Sequence, residues 1–356
     1  MPLTKHSFSI NKTDSSKIKD IDWDNLVFGK QFSDHMLMID YKDGEWQQGE
    51  IVPFDNIPFH PAISAIHYGQ SIFEGMKANR TVDGDVVLFR PEMNAKRFAL
   101  SAERMCMPEL PVDLFVDSIV ELLRIDKDWV PNNDFSSLYI RPFMFATDPL
   151  VGIKPSSSYK FMVITSPVGA YYSHPVRVKI EEGFTRAAEG GVGRAKAAGN
   201  YAASLLPAKI AKEEGYDQLI WTDSTEHKYI EESGTMNLMV IIDGKIITPP
   251  AGETILGGIT RLSVIAIAKD LGYTVEERQI SVDEVIEAQQ NGTLEDMFGT
   301  GTAVTITHIS GFGRKGTDYE LPPVSERKIS SHLKKELEAI KRGKKDNYPE
   351  WLVIVK

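Results

Sequence analysis

Residues 166–177, SPVGAYYSHPVR, set two prolines, a glycine and polar residues between two strand-like runs, and this break constrains the fold more than any other stretch. It reads as an interdomain linker over 170–177, between a small N-terminal α/β domain (1–169) and a large C-terminal domain (178–356). At roughly 150 residues per domain, a chain of 356 residues has room for two cores. The polar, mixed opening of about 35 residues is expected to lie over the body as an irregular arm.

In the first half, MLMIDY and GEIVPF flank the turn signal Asp43-Gly44, and VVLFR follows Asp83-Gly84, the pattern of antiparallel hairpins. SAIHYGQSIFEG between them reads as helix. Pro91 and Pro111 each take a first helical position, ahead of EMNAKRFALSAERM and VDLFVDSIVELLRIDKDW, where apolar residues recur at three and four. SSLYIRPFMFAT and YKFMVITSPV are β-rich. In the second half the strands VRVKIEE, QLIWTD and YTVEERQ alternate with the helices NYAASLLPAKIAKEEG, TRLSVIAIAKDLG and SVDEVIEAQQNG. MNLMVIIDGKIITPP is a hairpin turning at Asp243-Gly244, MFGTGTAVTITHI is β-rich, and a last helix runs through SERKISSHLKKELEAIKRG. The fold class is α/β (α+β), with mixed sheets and flanking helices in two domains.

Composition removes several functions. Forty Lys and Arg against 50 Asp and Glu leave a net charge of −10, so no general nucleic-acid partner is expected, since that needs a basic face. Cys106 is the one cysteine, which leaves no intramolecular disulfide and no multi-thiolate zinc site and fits a reducing, cytoplasmic setting. The start MPLTKHSFSI lacks an apolar signal core, and no apolar run approaches the roughly 18 residues of a membrane helix, so no export and no membrane partner are expected. GxxxxGK[ST], HExxH and GxSxG are absent, and no metal ligand set is expected. Gly311 to Gly316 fits GxGxxG, but no helix follows it, so it reads as a turn.

Four stretches carry chemistry. GGVGRAKAAGNY (190–201) surrounds Lys196 with Gly and Ala, which let a flat ligand approach and deny the amine solvating neighbours; such a lysine can act as a Schiff-base nucleophile. Taken alone, it reads more readily as a solvated lysine in a flexible Gly-rich loop. EESGTMN (231–237) places a carboxylate at the entrance to a strand, where it could meet a ring nitrogen. LGGITR (256–261) puts two glycines and Thr260 at a helix start, where free N–H groups and the dipole favour phosphate, although capping by Thr260 explains it too. FGTGTA (298–303) offers hydroxyls and amides in a turn suited to an anion. A nucleophilic lysine, an acid and a phosphate anchor are what pyridoxal phosphate requires.

FEGMKA (73–78), LFRP (88–91), LYIRP (138–142) and VGAYY (168–172), with those four stretches in the same order, resemble the branched-chain amino acid aminotransferases of the fold-type IV, class IV pyridoxal-phosphate group. The resemblance runs from VFGK at 27 to WLVIV at 351 and implies a two-domain, D-amino acid aminotransferase-like fold. It implies that Lys196 holds pyridoxal 5'-phosphate and shuttles the substrate proton. Glu232, the acid two positions before Gly234, rather than Glu231, would face the pyridine nitrogen, and Tyr201 the ring hydroxyl oxygen. Arg90, Ile259, Thr260 and Thr302 would hold the phosphate, with Arg186 near it. An aromatic box of Phe28, Tyr68, Phe73, Tyr139 and Tyr171, with Thr235, would receive the substrate side chain, although any one of these aromatics alone reads as core. Arg141, Tyr68 and the amides of Thr302 and Ala303 would take carboxylates. Val151 and Ile153 of DPLVGIKP would complete the pocket of a partner subunit, which implies a homodimer.

The implied reaction is a ping-pong transfer of the amino group between leucine, isoleucine or valine and 2-oxoglutarate, with glutamate and 2-oxo acids as the other small-molecule substrates. A D-amino acid aminotransferase or an aminodeoxychorismate lyase would share the lysine and acid, but the long N-terminal region and the LYIRP and VGAYY matches weigh against both. A non-catalytic cofactor-binding protein is the remaining alternative, and the complete set of lysine, acid and phosphate groups argues against it. The chain departs from the mammalian pattern at Ala303-Val304-Thr305-Ile306-Thr307, where no CxxC pair follows the anion turn, so thiol regulation of that kind is not expected.

Overall fold

A computed structural model describes residues 6–172 and 174–356, so the opening of the N-terminal arm (residues 1–5) and Ser173 of the linker lie outside the described residues. Packing separates the described residues into two compact units. One holds those up to Tyr171 together with Ala195–Gly199 and Ile340–Lys356, and the other holds those of Tyr172–Arg194 and Asn200–Ala339. Division at a single point in the chain leaves out the two short pieces. Ala195–Gly199 goes with the first unit because Ala197 bridges Ile72 and the Phe73 N–H donates to the Lys196 carbonyl. The C-terminal strand Leu352–Val355 goes with it because it pairs antiparallel with Val86–Phe89.

In the first unit, β1 (Phe8–Ile10) lies parallel to Gly49–Ile51, so part of the arm is strand rather than irregular. β2 (His35–Lys42) turns into β3 (Glu45–Trp46) through Asp43 and Gly44, whose φ values of 55° and 84° supply the left-handed pair that a two-residue hairpin needs; β4 (Gly49–Pro53) pairs back on β2. The helix expected over SAIHYGQSIFEG is shorter. α1 (Ser64–Tyr68) stops at Gly69, which turns left-handed at φ 67°, and β5 (Ser71–Phe73) then finds a partner strand in Phe143–Phe145. β6 (Met76–Arg80) and β7 (Val86–Phe89) form the second hairpin. α2 (Pro91–Arg104) begins on Pro91 as expected, whereas Pro111 caps α3 (Val112–Ile125) from one position outside. β8 (Ser137–Ala146) and β9 (Tyr159–Val168) complete the unit.

Among its described residues, ten strands form one sheet in the order β1-β4-β2-β9-β8-β6-β7 and the C-terminal strand, with β3 on β2 and β5 on β8. α2 and α3 cover it through Phe98, Phe115 and Phe161, fully buried rings with centroids 5.4–5.8 Å apart. Such pairs add about 0.5–1.5 kcal/mol beyond the area they bury.

Beyond the linker the chain runs through β10 (Val176–Glu181), α4 (Ala198–Ala203, its first two residues in the first unit), α5 (Leu205–Glu213), β11 (Gln218–Thr222), β12 (Ile230–Ser233), β13 (Met236–Ile242) and β14 (Lys245–Thr248). Then come α6 (Ile259–Asp270), β15 (Val275–Glu277), α7 (Val282–Gln290), β16 (Leu294–Gly301), β17 (Thr305–Arg314), β18 (Thr317–Glu320) and α8 (Lys328–Lys341). The single helix expected over NYAASLLPAKIAKEEG breaks at Ser204, because Pro207 has no N–H to give the Ala203 carbonyl. The GxGxxG stretch is the β17–β18 hairpin, with Lys315 and Gly316 left-handed in its turn.

The sheet is mixed: β10 lies parallel to both β11 and β17, while most other pairs are antiparallel. The order β12-β11-β10-β17-β16-β13 closes on itself because β12 also pairs with β13. Closure leaves none of these strands an open edge. The acidic pair Glu231-Glu232 therefore lies within a barrel strand, not merely ahead of one. Val178, Ile220, Leu238, Val240, Met297 and Phe312 fill the core.

Candidate active site

In the first unit the lysine is pinned through its backbone. Its N–H donates to Ser101 Oγ of α2 at 2.9 Å, and its carbonyl accepts the Phe73 N–H of β5 at 3.0 Å. The half-buried Lys196 side chain carries Nζ to 4.7 Å from the Phe73 ring centroid. Arg141 of β8 holds its guanidinium 4.5 Å from the Phe73 ring and 5.3 Å from that of Tyr139, and its Nη2 donates to the Tyr139 hydroxyl at 3.0 Å. Arg141 Nε is buried without a hydrogen-bond partner. Phe28 meets Tyr139 and Tyr171 edge-on at 4.8 and 5.1 Å. Gly75 makes room for this group, because a Cβ there would lie 2.3 Å from the Tyr139 hydroxyl. Phe28, Phe73, Tyr139, Arg141, Tyr171 and Lys196 are thus one assembly.

Other expected residues of this unit stand apart from it. Tyr68, at the end of α1, is 44% exposed, and Val151 and Ile153 on the β8–β9 loop are 63% and 93% exposed. Arg90 caps α2 with a left-handed φ of 50°. Its guanidinium lies 4.5 Å over the Trp351 ring, which Tyr348 stacks at 3.9 Å, and its N–H donates to the Trp351 carbonyl.

In the second unit Glu232 of β12 faces Asn237 of β13 in register. Its Oε1 accepts from the Leu256 N–H at 2.8 Å and from Asn237 Nδ2 at 3.2 Å, and its Oε2 is 3.0 Å from Arg186 Nε. Arg186 also donates to the Thr254 carbonyl. The arginine expected beside a phosphate is therefore engaged with the acid. Glu231 points to the other face of the strand and accepts from Thr254 Oγ1; burial pushes its carboxyl up, against that hydrogen bond. α6 opens at Gly258 with no side-chain cap, so the first-turn amides of Ile259 and Thr260 lack intrahelical partners. Gly258 has to be glycine: a Cβ would fall 1.8 Å from Asn237 Oδ1. Thr235 is exposed in the β12–β13 turn, Thr302 and Ala303 are half-exposed in the β16–β17 turn, and Tyr201 is half-buried in α4. Thr300 Oγ1 is buried without a partner.

Residues 71–312 match the family model for amino-transferase class IV. Branched-chain-amino-acid aminotransferase 2 of Bacillus subtilis (strain 168) is 45% identical over 311 residues, 86% of this chain and 85% of that protein. This chain belongs to the class IV branched-chain aminotransferases. Solved members share the fold. One from Thermoproteus uzoniensis, with norvaline, superposes with a TM-score of 0.75 at 25% identity over 90% of this chain and 100% of that one. A member from T.th., with pyridoxamine 5'-phosphate, gives 0.75 at 26% identity over 92% and 100%.

Each unit by itself carries groups that suit the cofactor of these aminotransferases, pyridoxal phosphate: the first an amine between small residues and an aromatic ring, with an orphaned buried atom at Arg141, and the second a buried carboxylate fixed by an amide and a guanidinium, an uncapped helix start and an orphaned buried atom at Thr300. Sequence reasoning missed Glu74, which is fully buried. Burial raises its carboxyl, but the Arg97 guanidinium, with Lys196 and Asn94, outweighs that and holds it below the ordinary value, Arg97 Nε lying 2.7 Å from Oε1 and Nη2 2.8 Å from Oε2. The signal was present in Arg97 and Ser101, four apart on one face of α2.

Proposed function

We propose that this aminotransferase exchanges the amino group of leucine, isoleucine or valine with 2-oxoglutarate, using Lys196 as its one catalytic amine. The single observation that carries the reading is the assembly around Lys196: a lysine fixed at both backbone ends, beside aromatic walls and an arginine with a buried, unpartnered Nε. Pyridoxal phosphate, when bound, supplies an aldehyde and an electron-accepting ring that weakens the Cα–H bond of an amino acid. Lys196 would hold that aldehyde, and its amine is the group that would move a proton to and from the substrate Cα. Glu232 keeps a proton on the pyridine nitrogen, with Arg186 acting through it. Tyr201 donates to the ring hydroxyl oxygen, and Arg90, Ile259, Thr260 and Thr302 hold the phosphate.

Arg141, Tyr68 and the amides of Thr302 and Ala303 take substrate carboxylates, glutamate's among them. Phe28, Phe73, Tyr139, Tyr171 and Thr235 exclude water from the side chain; at about 0.8 kcal/mol per buried CH₂, a branched C4 side chain gains a few kcal/mol over alanine. The exposed Val151 and Ile153 suit a role in the pocket of a second copy, which makes a homodimer the working unit. The working place is the cytoplasm; among the described residues no helix is long and apolar enough to cross a membrane. Leucine, D-alanine and aminodeoxychorismate assayed side by side with the purified holoenzyme test the reading. Turnover of leucine with 2-oxoglutarate is expected, and turnover of D-alanine without leucine would overturn it.

A further inference from the structure

The hydrogen bonds behind Lys196 connect into one network. Ser101 Oγ accepts the Lys196 N–H and donates its own proton to the Arg97 carbonyl one helical turn back, at 3.0 Å. Arg97 forks onto both oxygens of Glu74, and Asn94, a turn earlier on α2, donates to Glu74 Oε2 at 2.8 Å. Glu74 follows Phe73, whose N–H returns to the Lys196 carbonyl. The loop closes through both sides of the lysine backbone. Ser101 and Glu74 are fully buried, so neither can exchange its partners for water.

Lys196 is among the positive charges that hold Glu74 ionised, after Arg97. The other groups around Phe73 are the Arg141 guanidinium and the Tyr139 hydroxyl, both on β8. Glu74 and Arg97 cancel one another, so the pair whose carboxylate feels the lysine charge is neutral overall. Removing either member leaves a buried charge of known sign.

We propose that Glu74, Arg97 and Ser101 are positioning residues for Lys196, Ser101 fixing its backbone and the Glu74–Arg97 pair balancing the charge around its amine. The inference rests on the reading of Lys196 as the cofactor lysine. The pair acts through the lysine.

A pH titration of the visible band of reconstituted holoenzyme, with cofactor affinity measured alongside, tests this. Glu74→Gln leaves Arg97 unbalanced, so the cationic form of the lysine linkage becomes harder to hold and the midpoint falls by about one pH unit. Arg97→Met leaves Glu74 unbalanced and raises the midpoint. The double variant, with neither charge, returns it to near the wild-type value. If Arg97→Met does not fold, Glu74→Gln against the double variant suffices, because the sign of their difference is fixed. Ser101→Ala keeps the midpoint but weakens cofactor binding about tenfold or more. Midpoints that move the same way in both single variants, or not at all, would overturn the proposal while leaving a visible band in the wild type. A wild type with no band that responds to Lys196→Ala would instead remove the reading beneath it.

Discussion

Glu231 and Glu232 are adjacent in one strand, and the alternation of side chains gives them opposite surroundings. Glu232 is fixed by an amide, an asparagine and a guanidinium, while Glu231 meets a threonine hydroxyl and is pushed by burial towards its protonated form. Glu232→Gln is expected to slow the leucine half-reaction roughly a hundredfold or more, since it removes the group assigned to the ring proton. Glu231→Gln should change it by less than about threefold, because a neutral amide replaces a carboxyl already raised towards neutrality. Single-turnover spectra of both variants check this, and equal losses would undo the assignment. Small residues around it single out Lys196 in the sequence, and the family resemblance singles out Glu232 of the acidic pair by its place two positions before Gly234. Glu74 is not legible there, since an acid after a short apolar run reads as surface until folding brings Arg97 from α2 against it.

Elements announced by local chemistry formed where expected. Asp43-Gly44 and Asp243-Gly244 are left-handed pairs in tight hairpins, and Pro91 opens α2. Elements decided by distant partners were not legible: β1 and β5 are three-residue strands that exist because a neighbouring strand receives them. The same dependence gives β17 and α8 a pH response. His308 of β17 is 8% exposed, with Nδ1 3.2 Å from Ser330 Oγ of α8; burial first, then the charges of Lys334 and Arg327, lower its pKa from 6.5 to about 4. The folded protein keeps His308 neutral where the unfolded chain has already taken a proton. Its contribution is therefore intact above about pH 6.5 and is lost as the pH falls towards 4, amounting to about 2 kcal/mol between pH 7 and pH 5. Urea titrations at these two pH values should show that loss, and His308→Gln should lack most of it. An unchanged pH dependence in the variant would contradict the assignment.

At the scale of the whole molecule, the chain revisits its first unit twice after leaving it, with the lysine segment and with the C-terminal strand. Those returns are pairings between residues far apart in sequence, which periodicity does not record. The exposed loop carrying Val151 and Ile153 has its own expectation. Ile153→Asp should shift the protein from dimer to monomer in sedimentation velocity and remove most leucine turnover, while leaving the secondary structure seen by circular dichroism unchanged. A variant that stays dimeric and fully active would exclude a role for this loop in a partner's pocket. All of this depends on Lys196 being the residue that takes the cofactor, and borohydride reduction of the holoenzyme followed by peptide mass mapping tests that most directly. The phosphopyridoxyl mass is expected on the peptide containing Lys196 and on no other; label on a different lysine, or on none, would contradict the account.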